Sequence, residues 1–255
     1  MAPSRLQDKV AIVTGAASGF GEGITRLFAG EGAKVVAADI DGDGAQRLAK
    51  ELTDGGRDVR AEAVDVTSGS DLQGAVDRTV EALGRVDILV NNAGIGQSAT
   101  PFEDVDDALF ERLTAVNMYG VFAGCRAVVP VMKRQGKGAI INTASTAAVR
   151  PRPLLNVYNA SKGFVLTLTK SLAIELAPAN IRVNALNPVI SETGMYETFV
   201  GSRDPEEARA AFLSTIPLGR MSTPEDVGWA AVYLASDEAS MITGMAIDVD
   251  GGRDI

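Results

Sequence analysis

Tyr158 and Lys162 stand at i and i+4, which puts both side chains on one face wherever that segment is helical. A phenol is a poor base at its ordinary pKa of about 10; a neighbouring ammonium favours phenolate and draws that value toward neutrality. Ser145 lies upstream, just past a short apolar run, where its hydroxyl could hold a substrate oxygen while the tyrosine moves the proton. Taken singly, the spacing also fits a solvated helix pair. It gains meaning only if a cofactor loop stands nearby.

Such a loop is present. Val10-Ala-Ile-Val13 leads into Thr14-Gly15-Ala16-Ala17-Ser18-Gly19-Phe20-Gly21. Glycines at a strand-to-helix turn let the backbone approach a pyrophosphate, and the helix N-terminus offers free N–H groups. The spacing G-x-x-x-G-x-G departs from G-x-G-x-x-G, and no Gly-Lys-Ser/Thr closes it as in a P-loop. A ligand-free glycine turn is the plainer alternative. Asp39 ends the next apolar run, where a carboxylate can accept both ribose hydroxyls of an adenosine and repel a 2′-phosphate. Ser18 and Ile40 stand where a basic group could have received that phosphate. Asp39 would equally suit the turn before Asp41-Gly42. Asp65, beside Val66, could reach an adenine amino group. Asn91-Asn92-Ala93-Gly94 could tie neighbouring strands and leave room for a ligand, or form a plain turn.

Composition removes competing chemistries. The 255 residues contain no histidine and one cysteine, Cys125, which excludes His-dependent hydrolases, His-ligated zinc, intrachain disulfides and Cys-rich metal sites. No metal is expected. Acidic groups outnumber basic ones, 33 to 24, for a net charge of −9, so neither nucleic acid nor a membrane surface is an expected partner. The segment from Met1 to Lys9 does not read as a secretory signal, and no uninterrupted apolar stretch approaches a membrane span. A cytoplasmic setting is the expectation.

The elements that must position these residues alternate. Strands are expected at Lys9–Thr14, Lys34–Asp39, Val59–Asp65, Val86–Asn91, Gly138–Ala144, Ile181–Asn187 and Met245–Val249. Helices are expected at Phe20–Glu31, Gly44–Thr53, Asp71–Leu83, Asp106–Gln135, Val157–Ala177 and Pro224–Ser236, the last opened by Thr223, Pro224 and Asp226. This pattern predicts an α/β fold with a doubly wound parallel sheet of Rossmann type, in one domain over 1–255. The stretch 188–220 carries little obvious framework and reads as a substrate lid.

Together these motifs resemble the short-chain dehydrogenase/reductase family over nearly the whole chain. The carriers are Thr14-Gly15-(x)3-Gly19-x-Gly21, Asn91-Asn92-Ala93-Gly94, Asn117, Ser145 and Tyr158-Asn159-Ala160-Ser161-Lys162, with Pro217-Leu218-Gly219-Arg220, Ile242-Thr243-Gly244 and Val249-Asp250-Gly251-Gly252. The resemblance implies a nicotinamide-dependent oxidoreductase. Tyr158 would be the general acid/base and Ser145 the substrate-oxygen partner; Lys162 would lower the tyrosine pKa and bind the nicotinamide ribose. Asn117 would hold a water linking Lys162 to solvent. The cofactor would lie on Gly15, Ser18, Gly19, Phe20 and Gly21, with Asp39, Ile40, Asp65 and Val66 at its adenosine end. Asn92, Ala93, Gly94, Pro188, Ser191 and Thr193 would line the path to the nicotinamide. An acid at the position of Asp39 implies NAD rather than NADP. The family pattern has Pro-Gly where this chain has Pro188-Val189, and valine does not take positive φ cheaply, so the loop backbone there is expected to differ. A homotetramer is implied as well, with the long helices packed between subunits.

Substrate clues are fewer. Met195, Tyr196, Phe199, Val200, Phe212 and Leu213 could wall an apolar pocket or simply pack the lid down. Arg150 and Arg152 border the expected site and could recognise an anion, or be solvated or ion-paired. The favoured activity is NAD-linked interconversion of a small secondary alcohol and its ketone. A 3-oxoacyl thioester reductase is the alternative, disfavoured by Asp39 and the acidic charge. A non-catalytic nucleotide-binding regulator is a third.

Overall fold

Parallel strands buried on both faces need continuous apolar runs, and β1 (Val10–Thr14) is buried along its whole length. The computed structural model describes residues 4–201 and 203–255. The first residues of the expected N-terminal segment, 1–3, and residue 202 of the 188–220 stretch lie outside it. In chain order β1 is followed by α1 (Gly19–Gly30), β2 (Lys34–Asp39), α2 (Gly42–Asp54), β3 (Val59–Ala63), α3 (Gly69–Leu83) and β4 (Ile88–Asn91). Then come α4 (Asp107–Thr114), α5 (Gly120–Gln135), β5 (Gly138–Thr143), α6 (Asn156–Leu176) and β6 (Ile181–Pro188). The chain closes with α7 (Gly194–Val200), α8 (Pro205–Leu213), α9 (Pro224–Ala235) and β7 (Ala246–Val249).

The strands form one parallel sheet in the order β3-β2-β1-β4-β5-β6-β7. The direction of winding therefore reverses between β1 and β4, which pair Ala11 with Ile88 and Val13 with Val90. Ligands of open α/β sheets bind at the carboxyl edge of such a reversal. One core lies under α3, α5 and α6, built on Ile12, Leu89, Val128 and Ile140; the other lies under α1 and α9, built on Ile24, Phe28, Ile88 and Val232. α1 and α9 approach very closely. A Cβ on Gly23 would sit 2.6 Å from Pro224, and one on Gly228 would sit 2.6 Å from Leu27. That contact fixes the helix carrying the glycine loop.

Three expectations need correcting. β3 stops at Ala63, before Asp65, because the pairing with β2 ends at Asp39↔Ala63. Asp65 instead accepts hydrogen bonds from the Thr67 N–H (2.9 Å) and hydroxyl (2.7 Å), which turns the chain into α3. The helix expected over Asp106–Gln135 is interrupted: Ala115–Tyr119 forms a π turn between α4 and α5. By length and composition this run could cross a bilayer, yet more than half of it is buried inside the fold, as in a core helix. The stretch 188–220 holds α7 and α8 and encloses its own small core of Val189, Val200, Phe212, Ile216 and Met221. Asp204 and Pro205 start α8, the aspartate accepting from the Glu206 and Glu207 amides at 3.0 Å.

Candidate active site

A cleft of about 880 Å³ opens at the carboxyl edge of the sheet, over the reversal between β1 and β4. Its floor is the glycine loop. Gly15 and Gly19 take φ +65° and +56°. A Cβ on Gly21 would lie 1.9 Å from the Gly15 carbonyl oxygen, so the first turn of α1 can close on the loop only with glycine there. Ser18 precedes α1 without a side-chain capping bond, which leaves the helix N-terminal amides to the cleft. These features suit a pyrophosphate. The Asn92 side chain donates to the Thr14 and Gly15 carbonyls at 3.1 and 3.2 Å, so the amide ties the two strand ends together. Thr14 completes that joint by accepting from the Asn92 and Ala93 amides.

At the far end both oxygens of the Asp39 carboxylate are held by backbone amides. One carboxylate oxygen accepts from the Ala17 amide at 2.8 Å; the other accepts from the Asp41 amide at 2.9 Å, as a turn residue would. The carboxylate is thereby held beside the glycine loop, facing the same cleft as Ile40, Asp65 and Val66. Ile40 is 75% exposed, an apolar platform at the cleft edge. Phe20, Ala93 and Gly94 line the middle of the cleft.

At the other end Ser145, Tyr158 and Lys162 come together. Ser145 follows β5, and its Oγ accepts from the Ala147 amide at 3.1 Å, which fixes the hydroxyl. Tyr158 and Lys162 lie on the buried face of α6. The Lys162 ammonium donates to the Thr143 carbonyl at 2.9 Å and sits 5.9 Å from the Tyr158 ring centroid. Burial lowers its pKa to about 8. Burial pushes the Tyr158 phenol above its ordinary value, against downward pulls from the Ser145 hydroxyl and the Arg152 guanidinium. The expected downward pull by Lys162 thus does not decide the tyrosine in the protein by itself; desolvation does. Gln97, which sequence reasoning missed, accepts from the Tyr158 amide at 2.9 Å.

Asn117 lies in the π turn and is fully buried. Its side-chain oxygen accepts from the Ile95 amide (2.9 Å), and its NH2 donates to the Ile95 carbonyl (3.0 Å) and to Ser161 Oγ (3.2 Å). A Cβ on Gly94 would lie 3.3 Å from Asn117 Oδ1 and 3.4 Å from Lys162 Nζ, so this glycine permits their approach. Gly21, Asn117, Arg150, Val200 and Leu213 do not line the cleft; the other expected site residues do. Pro188 ends β6, Ser191 is buried, and Thr193 reaches over Gly19, 3.4 Å from where a Cβ would stand. Val189 has no positive φ and is buried in the small core of the 188–220 stretch, so valine is accommodated there by ordinary backbone. Phe199 of α7 meets Tyr158 edge-on, with ring centroids 5.3 Å apart.

Known proteins share this fold. The family model described as enoyl-(acyl carrier protein) reductase matches residues 15–254. The chain is 44% identical to 4-formylbenzenesulfonate dehydrogenase of Comamonas testosteroni, over 98% of this chain and 99% of that relative. It is 42% identical to a 3-oxoacyl-[acyl-carrier-protein] reductase of Thermotoga maritima, over 97% and 98%. A solved 3-ketoacyl-(acyl-carrier-protein) reductase of Brucella melitensis, complexed with NADH, superposes with a TM-score of 0.92 at 48% identity, covering 98% of this chain and all of that one. Fold, cleft and relatives agree, and the chain belongs to the short-chain dehydrogenase/reductase family of oxidoreductases.

Proposed function

We propose that the protein is an NAD-dependent dehydrogenase that interconverts a small secondary alcohol and its ketone. The observation that carries this reading is one cleft with Asp39 at one end and Ser145, Tyr158 and Lys162 at the other. NAD fits the glycine loop and, when bound, supplies the hydride acceptor and a positive charge. Gly15, Ser18, Gly19, Phe20 and Gly21 would hold its phosphates; Asp39, Ile40, Asp65 and Val66 its adenosine; Asn92, Ala93, Gly94, Pro188, Ser191 and Thr193 the path to the nicotinamide. Ser145 Oγ holds the substrate oxygen. Tyr158 Oη takes the hydroxyl proton as the carbinol hydrogen leaves as hydride. Lys162 holds the ribose and keeps positive charge near the phenol. Asn117 orders the Gly94–Ile95 backbone beside Lys162, where a water would carry the proton onward.

A 3-oxoacyl thioester reductase remains the second reading, because two of the similar proteins carry that name. Asp39 and the acidic surface weigh against it. Lys133, Arg134 and Lys137 could dock an acidic carrier, but Lys137 is already paired with Asp237 at 3.0 Å. A non-catalytic regulator would have no use for a lysine buried beside a tyrosine. The stretch 188–220 acts as the substrate lid of a single domain. A homotetramer would cover the exposed apolar side chains of Phe110 and Phe122 on α4 and α5 and Ile174 on α6. Oxidation of a panel of secondary alcohols with NAD and with NADP, followed by absorbance of the reduced nicotinamide, tests the proposal. Tyr158→Phe should remove turnover and leave NAD affinity intact; retention of most of the oxidation rate would refute the assignment of the proton acceptor.

A further inference from the structure

The substrate end of the cleft carries guanidinium groups that have no direct carboxylate partner among the described residues. Arg152, Arg203 and Arg253 all line it. Arg253 is only 4% exposed, and Arg152 is half-buried. Among the described residues, neither has a carboxylate within 4.0 Å, and neither guanidinium donates a hydrogen bond to the protein. Arg182 shows the usual solution: it is also half-buried, but its guanidinium donates to the Leu234, Ser236 and Ile242 carbonyls. The nearby carboxylate of Asp250 is engaged by the Gly252 and Asp254 amides, both at 2.8 Å. Burial, with Arg152 and Arg150 beside it, lowers the Arg253 pKa to about 10, against a weaker upward pull from Asp250. Desolvating like charges side by side is costly unless a counter-charge joins them.

The cluster is built rather than incidental. Leu154 holds φ +65°, which a branched side chain adopts only under constraint, and its carbonyl accepts from the Thr100 amide at 3.0 Å and from Gln97 at 3.3 Å. The Arg152 carbonyl accepts from the side chain of Asn159, the residue after Tyr158 in α6, at 2.8 Å. Arg150 donates to the Arg253 carbonyl, which ties the C-terminal tail to this loop. The Phe212 ring carries Arg203 and Arg253 at 5.3 and 6.0 Å from its centroid. Arg152 is close enough to Tyr158 to act on its charge.

We propose that Arg152 and Arg253 form an anion subsite for the substrate, which is therefore a secondary alcohol bearing a carboxylate or sulfonate at the end remote from its hydroxyl. Planar guanidinium groups match both anions through paired hydrogen bonds. This rests on Tyr158 and Ser145 being the alcohol-oxidising centre. The apolar walls of Phe199 and Phe212 would hold the body of the molecule between the two ends.

The test uses the enzyme saturated with NAD and three ketones that cannot react with the oxidised cofactor: 4-acetylbenzoate, 4-acetylbenzenesulfonate and the neutral 4-acetylbenzamide. Titration calorimetry should show at least one anion binding about tenfold or more tighter than the amide. Arg152→Gln and Arg253→Gln should each reduce that ratio toward unity, with NAD affinity unchanged as the check on folding. Arg152→Gln leaves the tail intact should the Arg253 variant not fold. Equal binding of the amide, or an anion preference that survives Arg152→Gln, overturns the subsite. A second measurement, oxidation of 4-(1-hydroxyethyl)benzoate against 4-(1-hydroxyethyl)benzamide, separates the two levels. Oxidation of the amide alone keeps the dehydrogenase and removes the anion subsite. Anion-selective binding without NAD reduction by either alcohol keeps the subsite and removes the dehydrogenase reading.

Discussion

Asp39 is in place before any cofactor arrives, because the Ala17 and Asp41 amides hold its two oxygens. Each oxygen keeps a lone pair for a ribose hydroxyl, and a charge-assisted bond contributes about 1.5–3 kcal/mol. NAD should therefore bind at least about tenfold tighter than NADP. Asp39→Ala should narrow the gap chiefly by weakening NAD, which calorimetry with both dinucleotides would show; wild-type preference for NADP would contradict it. A second prediction at this scale concerns Tyr158. Phenolate is the form that accepts the alcohol proton, so oxidation should rise with pH. Arg152 pulls the phenol downward, so Arg152→Gln should move that rise to higher pH with a neutral alcohol as substrate. An unmoved profile would mean that Arg152 does not act on the phenol. Residue types and local spacing made Ser145, Tyr158, Lys162 and Asp39 legible in the sequence. Arg253 and Gln97 were not legible, because only tertiary folding brings the C-terminal tail to the Arg150 loop and the loop after β4 to α6.

At the scale of elements, periodicity reported every strand and the principal helices, since each buries a continuous run or stripe. It could not report the π turn at Ala115–Tyr119. One extra residue in a helix leaves the apolar pattern nearly intact, and the partner that uses it, Ile95, is far away in sequence. The start of α9 was fully legible: Thr223 Oγ1 accepts from the Asp226 amide, and the Asp226 carboxylate accepts from the Thr223 amide at 2.8 Å. The sequence did not show that Arg220 also grips that carboxylate, which brings its pKa to about 2. A carboxyl whose folded pKa is depressed contributes stability above its unfolded pKa of about 3.9, and that contribution fades as pH falls through the folded value. Asp226→Asn should thus lower the urea midpoint near pH 6. The gap to wild type should close as pH approaches 2. A gap independent of pH would assign the effect to the side-chain shape and not to its charge.

At the scale of the whole molecule, the sheet and its two cores hold the cofactor half rigidly, while residues 188–220 enclose a separate core of their own. A segment whose apolar contacts are mostly internal can open as a unit without exposing the main cores. Its principal link to α6 is Phe199, which packs on Tyr158 at 5.3 Å and belongs to both the 188–220 cluster and the Tyr158 cluster. An aromatic pair of this geometry contributes about 0.5–1.5 kcal/mol beyond its buried area. Phe199→Ala should therefore raise KM for the alcohol by roughly two- to tenfold, with NAD affinity nearly intact, since the contact it loses is with Tyr158. In hydrogen exchange, adding NAD with substrate to the wild type should slow α7 and α8 more than the sheet. In Phe199→Ala that added protection should shrink. Equal protection in the two proteins would leave Phe199 as a wall of the pocket and give the closing motion some other anchor.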